Sequence, residues 1–123
     1  MGDVVFARRL FRWAAVYGVI VLAPLYLLPA PTERTEAYFG FIGGALAFQG
    51  VYWIIGGDPL RYRPLMPVGA VAKLSFAIPA LTLFALGRLD ALTAIPVSVD
   101  VLLAAGFVVA WVKTRRVDAG VAT

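Results

Sequence analysis

Three polar side chains stand inside long apolar stretches of this sequence: Lys73, Asp100 and Gln49. A charged group in hydrocarbon costs about 2.5 to 3.5 kcal/mol on insertion scales. We therefore expect each of the two charges to have an oppositely charged partner or a functional role. An opposite charge within about 4 to 6 Å favours the ionised form of both groups. We therefore predict an intramembrane polar site of these three residues, with Lys73 and Asp100 as an ion pair.

The rest of the sequence offers little chemistry. The chain has no cysteine and no histidine, which removes disulfides, thiolate catalysis and the usual transition-metal ligands. It also lacks a Ser, His and Asp set, a phosphate-cradling loop and a dinucleotide fingerprint. We expect a protein that is not an enzyme and that has no cofactor and no metal site.

Four apolar runs must position the polar residues: 11–28, 37–55, 65–86 and 91–112. Each is close to the roughly 20 residues that a helix needs to cross a bilayer. The chain is 62% hydrophobic and only 15% charged, against about 25% charged in soluble domains. We predict an all-α, up-down-up-down four-helix transmembrane bundle in which residues 1–123 form one domain.

Helix ends are marked by residues with known preferences. Gly87 is expected to end the third helix and Asp90 to cap the fourth, while Asp58 followed by Pro59 is typical of a helix start. Pro29 and Pro31 should end the first helix.

Basic residues gather beside the N-terminus, the second loop and the C-terminus: Arg8, Arg9, Arg12, Arg61, Arg63, Lys113, Arg115 and Arg116. This positive-inside pattern predicts that both termini are cytoplasmic. The same residues do not form one stripe, so nucleic acid is not expected as a partner. A signal peptide over residues 1–30 is the alternative, although its apolar run is longer than is typical.

The depth of each polar residue follows from ~1.5 Å of rise per residue. Lys73 lies ~12 Å, Asp100 ~18 Å and Gln49 ~10 Å from the cytoplasmic ends of their helices. Pro79 and Pro96 interrupt the two helices that carry the charges and free carbonyl groups nearby. The ion pair could fix helix packing, or it could form a site for a solute, an ion or a proton; alternatively, Lys73 could snorkel toward the headgroups.

Small residues recur along the second helix at Gly40, Gly43, Gly44, Ala47 and Gly50. Such a face permits close approach of another helix, either within the monomer or in a homodimer.

The second loop places Tyr62 between Arg61 and Arg63. These residues predict contact with anionic lipid headgroups, with simple positive-inside anchoring as the alternative.

A weak internal similarity leads to the hypothesis that the two helical hairpins arose by duplication. Pro24, Arg34 and Glu36 are matched by Pro79, Arg88 and Asp90 at an offset of about 55 residues.

The stretch "YFGFIGGALAFQGVYWIIGGDPLRYRPLMPVGAVAKLSF", residues 38–76, resembles a run in a family of small four-helix integral membrane proteins of bacteria. The shared feature is the "DPLRYRPLM" loop followed by a lysine in the next helix. The resemblance implies four spans and a bacterial inner-membrane location, and it implies no activity or functional residues.

These observations lead to two functional hypotheses. The first is an accessory or binding component of the membrane whose Lys73 and Asp100 pair organises the bundle and lines a small polar cavity. The alternative is an ion- or proton-coupled transporter of a small solute that acts as a homo-oligomer. The lipid bilayer is the expected environment, and a second copy or another membrane protein is a possible partner.

Overall fold

The computed structural model describes the backbone of residues 2–27 and 32–122, with side chains as far as Arg115. Four helices make up this part of the chain: α1 (Gly2–Leu27), α2 (Thr35–Gly57), α3 (Met66–Ala85) and α4 (Ala91–Ala122). A short 3-10 turn, Arg63–Leu65, precedes α3. All four helices are long and apolar enough to cross a membrane. The predictions of an all-α chain and of four candidate spans are confirmed, and the protein is a multi-pass membrane protein.

The helices are longer than the apolar runs at the two ends of the chain. α1 begins at Gly2 rather than near Phe11, and α4 continues past Val112 to Ala122. Apolarity marks the part of a helix that suits hydrocarbon, whereas the backbone hydrogen bonds continue through polar turns. Pro29 and Pro31, which were expected to end the first helix, lie outside the described residues.

Two of the predicted helix ends are confirmed. Gly87 adopts a φ of 74°, and the Arg88 N–H donates to the Leu83 carbonyl at 2.8 Å, which is the left-handed ending that favours glycine. Asp90 caps α4, because its carboxylate accepts hydrogen bonds from the Thr93 hydroxyl at 2.6 Å and the Thr93 N–H at 3.3 Å.

The prediction of a helix start at Asp58 and Pro59 is wrong. Asp58 instead follows the end of α2, and its N–H donates to the Ile55 carbonyl at 3.2 Å. Its carboxylate accepts from the Arg61 N–H at 3.4 Å, so the residue closes a turn between helices. The proline in the first turn of α3 is Pro67.

Neighbouring helices run antiparallel. Arg12 near the start of α1 reaches Trp53 near the end of α2, and Arg63 before α3 reaches Trp111 in α4. Lys113 lies over the ring of Phe6, so α4 also ends beside the start of α1. We call the end of the bundle that carries these basic residues the basic end, and the opposite end, with residues 32–34 and 86–90, the far end.

The bundle is packed tightly at its basic end and opens toward the far end. In the basic half one buried cluster joins all four helices, with Phe11, Tyr52, Met66 and Phe107 among its larger members. In the far half a smaller buried cluster of the described residues comes from α3 and α4: Ala77, Ala80 and Val97. α2 and α3 make few contacts with each other, whereas α1 packs closely on α2 and α3 on α4. Two tight hairpins therefore meet mainly through α1 and α4.

Candidate functional site

The structure brings Lys73 and Asp100 into direct contact between α3 and α4. Lys73 Nζ donates to Asp100 Oδ1 at 2.9 Å. The two side chains differ in access, since 6% of the Lys73 side chain and 22% of the Asp100 side chain are exposed. Lys73 is thus the enclosed partner and Asp100 the reachable one.

An aromatic floor lies beneath the ion pair. Lys73 Nζ is 5.2 Å from the ring centroid of Tyr52 and 5.9 Å from that of Phe107. Phe11 stacks on Phe107 with centroids 4.2 Å apart, so α1, α2 and α4 each supply a ring. Ring faces attract a cation within about 6 Å and exclude water. The floor therefore holds the ammonium group in place and closes the basic half of the bundle. Sequence reasoning did not find this floor, because rings on separate helices show no common spacing.

Above the ion pair is a cavity of ≈ 420 Å³ lined by all four helices. Its walls are mainly apolar, with Leu22, Phe48 and Val97 as examples, and Tyr17 stands at its side. Tyr17 Oη donates to the carbonyl of Pro96 at 3.4 Å. Among the described residues that line the cavity, Lys73 and Asp100 are the only charged ones. A pocket of this size and character suits a small, mostly apolar ligand with one polar end.

Gln49 lines the same cavity but makes no hydrogen bond to the ion pair in the described part of the chain. Its Nε2 donates to the Ala45 carbonyl at 2.7 Å on its own helix. Its Oε1 is buried without a partner among the described residues and lies against Gly18, where a Cβ would collide with it. Gln49 therefore acts mainly in the contact between α1 and α2.

Two phenylalanines bridge the gap between α2 and α3. The rings of Phe41 and Phe76 are 4.9 Å apart and line both the cavity and a neighbouring groove of ≈ 400 Å³. That groove continues along α3 past Pro79 and Leu83. The pair therefore stands where the cavity meets the lipid-facing side of the bundle.

The small-residue face of α2 packs little within the monomer. Among the described residues, nothing lies within 4 Å of the position that a Cβ would take at Gly40, Gly44 or Gly50, and Ala47 is exposed. Of the four glycines predicted for this face, Gly43 is the one with a neighbour in the described part of the chain, a ring carbon of Tyr26 at 3.7 Å. Packing inside the monomer, one of the two alternatives for this face, thus finds little support among the described residues, because α3 stands away from α2. Gly40 and Gly44 instead line the cavity. The homodimer stays a prediction.

The basic loop is arranged differently from its sequence pattern. Arg63 donates from Nε and Nη2 to the Trp111 carbonyl at 3.1 Å and 2.6 Å, and from Nε to Thr114 Oγ1 at 3.2 Å. Arg61 is exposed and its guanidinium lies 5.4 Å from the ring centroid of Tyr62. Arg61 is therefore the freer of the two arginines to meet a lipid headgroup.

The contact of Arg63 with Trp111 has a counterpart between α1 and α2, and we call each such contact between an arginine and a tryptophan a clamp. Arg12 Nε donates to the Trp53 carbonyl at 3.0 Å, and the guanidinium lies 3.8 Å from the centroid of the Trp53 ring. A Cβ at Gly56 would meet Arg12 Cγ at 2.7 Å, so the arginine crosses the end of α2 only because that residue is glycine. The Arg63 guanidinium likewise lies 5.2 Å from the centroid of the Trp111 ring, so each hairpin carries one arginine that contacts both the carbonyl and the ring of a tryptophan.

Within the described residues, no group of three or more histidines, cysteines, aspartates or glutamates could hold a metal ion. Comparisons of the chain with models of protein families, with curated proteins and with solved structures give no significant match. The geometry of the cavity and of the ion pair is therefore the basis for a functional assignment.

Proposed function

We propose that this protein is a non-enzymatic membrane component that binds one small, mostly apolar molecule between its helices. The polar end of the molecule lies against Lys73 and Asp100, and its apolar part fills the space above them. The observation that carries the proposal is a partly exposed ion pair that lines a mainly apolar cavity.

A purely structural ion pair has different requirements. Two charges that only hold helices together are most stable when no side of the pair faces an open space. Here 22% of the Asp100 side chain is exposed, and that residue lines a cavity of ≈ 420 Å³. Ligand pockets typically have volumes of about 300 to 1,000 Å³ and a few polar groups that fix orientation. The arrangement therefore favours a binding site over a simple packing contact.

Native mass spectrometry of the protein purified in a mild detergent tests the proposal. We expect one retained molecule per chain in the wild type. Gly44→Phe should abolish retention, since Gly44 lines the cavity and has open space around its Cβ position. Gly50→Phe is the matched control, because it lies on the same helix with equally open surroundings but does not line the cavity. Equal retention by both variants would contradict the proposal.

Transport is the second candidate function, and one feature favours it. The ion pair can be reached from the cavity, whereas the floor of Phe11, Tyr52 and Phe107 closes the opposite side. One-sided access of this kind is what a transporter shows in one of its states. Because the chain has no cysteine, Ser75→Cys can report access to the cavity from each side of a vesicle. Labelling from both sides supports transport, and labelling from one side supports binding alone.

We also propose that the protein resides in the inner membrane of a bacterium with both termini in the cytoplasm. The support is the collection of arginines at one end of the bundle, as the positive-inside rule requires of the cytoplasmic side. A cysteine replacing Thr32 at the far end should react with an impermeant maleimide on intact cells. A cysteine replacing Arg61 should react only after the membrane is opened. The reverse pattern would overturn the orientation.

A further inference from the structure

We infer that the bound molecule is a neutral, single-chain amphiphile whose head donates a hydrogen bond, of the class of long-chain alcohols. The inference rests on the proposed function of the cavity and specifies its ligand. It follows from the net charge of the site, from the free hydrogen-bonding positions of the ion pair and from the shape of the apolar space.

The charge of the site favours a neutral head. Lys73 and Asp100 neutralise each other across 2.9 Å, and no other charged residue among those described lines the cavity. An ionised head would add a charge with no counter-charge in an apolar space, which is costly. A neutral head avoids this cost and leaves the ion pair intact.

The free hydrogen-bonding positions of the ion pair favour a ligand whose head group donates a hydrogen bond. Asp100 Oδ1 accepts from Lys73, whereas Oδ2 accepts no hydrogen bond from any described residue. A carboxylate oxygen is an acceptor only, so its partner must be a donor. The Lys73 ammonium is enclosed over the rings of Tyr52 and Phe107 and is the less exposed partner. A hydroxyl meets this requirement, and an ether or ester oxygen does not.

The shape of the apolar space favours a ligand with a single hydrocarbon chain. From the ion pair the cavity passes Phe48 and reaches the Phe41 and Phe76 rings, beyond which the groove along α3 continues. Gly40 and Gly44 add no side chains to the α2 wall of this path, so the space between Phe41 and Phe48 stays open. A single hydrocarbon chain can lie along such a path and leave between α2 and α3, whereas a branched diacyl lipid has two chains to place.

Three probes with the same chain and different heads test the inference. Each carries a diazirine within a hexadecyl chain, and the heads are an alcohol, a carboxylate and a methyl ether. Photolabelling of the purified protein in nanodiscs, in mildly alkaline buffer, gives a half-saturation concentration for each probe. We expect the alcohol to bind at least about tenfold more tightly than the other two, a factor that corresponds to about 1.4 kcal/mol.

Two variants test the cause of the preference. Asp100→Asn leaves the lysine charge without its partner, so the carboxylate probe should gain and overtake the alcohol. Lys73→Met leaves the aspartate charge alone, so the carboxylate should bind even more weakly while the alcohol remains bound. Size-exclusion chromatography establishes that each variant is folded. If neither variant folds, the comparison of the three probes on the wild type still decides.

The outcomes separate this inference from the proposed function. If the wild type binds the carboxylate probe more tightly than the alcohol, or binds the ether probe as tightly as the alcohol, the inferred ligand class is wrong. In either case the cavity remains a binding site. If Gly44→Phe and the wild type are labelled equally by every probe, both the ligand class and the proposed binding function are wrong.

Discussion

At the scale of single residues, the ion pair of Lys73 and Asp100 is a contact between charges that differ in access. Removing one partner of a fully buried pair in a soluble protein costs about 3 to 5 kcal/mol. Polar contacts between membrane helices are weaker, on average about 0.6 and at most about 1.7 kcal/mol in one well-measured case. The exposure of Asp100 toward the cavity places this pair in the lower range.

A double-mutant cycle measures the contact. We expect Lys73→Met and Asp100→Asn each to lower the free energy of unfolding by about 0.6 to 1.7 kcal/mol, because each leaves one charge alone in an apolar setting. The combined variant should recover most of this loss. Thermal or denaturant unfolding in detergent gives the values. Losses that simply add would show that the two charges are energetically independent.

Asp90 gives the start of α4 a dependence on pH. The hydrogen bond from the Thr93 hydroxyl, together with backbone hydrogen bonds, holds the pKa of Asp90 below its ordinary value. A carboxyl with a lowered pKa contributes stability above its ordinary pKa and loses it as the pH falls through the lowered value. The first-turn amides of α4 should therefore exchange faster in acid. In Asp90→Ala their exchange, corrected for intrinsic rates, should be fast at every pH, and protection that persists in acid would contradict the assignment.

At the scale of helices, the two arginine and tryptophan clamps define the hairpins. A hydrogen bond from a charged group contributes about 1.5 to 3 kcal/mol, and a cation over a ring adds about 0.5 to 1 kcal/mol. Arg12 and Arg63 each make both contacts, with Trp53 and Trp111 respectively. Lysine retains the charge but not the planar fork.

Arg12→Lys and Arg63→Lys should each destabilise the protein by about 1 to 2 kcal/mol through loss of that geometry. Arg61→Lys is the matched control, because Arg61 is exposed and its side chain makes a looser contact with Tyr62. We expect a change within about 0.5 kcal/mol for this control. Thermal unfolding of the three variants provides the test, and equal losses for all of them would refute a special role for the clamps.

Phe41 and Phe76 form the contact that stands across the gap between α2 and α3 at the mouth of the cavity. Phe41→Ala should speed release of a bound alcohol probe by about tenfold and change stability little, since Phe41 is already 44% exposed. Phe84→Ala is the control, an exposed phenylalanine on α3 that lines neither the cavity nor the groove. Release rates are measured by dilution, and the same rate in wild type and Phe41→Ala would show that the contact between Phe41 and Phe76 does not slow release.

At the scale of the whole molecule, the sequence predicts the helices and much of their arrangement. Four apolar runs of membrane length, the last two of them separated by Gly87 and Asp90, lead directly to four spans. The contact between Lys73 and Asp100 was also foreseeable, because two opposite charges at similar depth on adjacent helices have few other ways to lower their cost.

The opening of the bundle could not be foreseen in the same way. Gly40 and Gly44 predict close approach of some neighbour, and the same small residues equally suit the wall of a cavity. The role of Arg63 was hidden for a similar reason, since a loop arginine can meet a phosphate or a helix carbonyl with the same donors. Both outcomes depend on where distant helices lie, and one chain's local pattern does not contain that information.

The most direct test of the cavity as a binding site is a map of the residues to which a chain-labelled alcohol probe attaches. Mass spectrometry of the photolabelled protein reads this map. We expect attachment at the cavity walls, at Phe41, Ala45 and Phe76. Attachment instead spread over outward-facing residues such as Val71, Ile78 and Leu102, with none in the cavity, would contradict it.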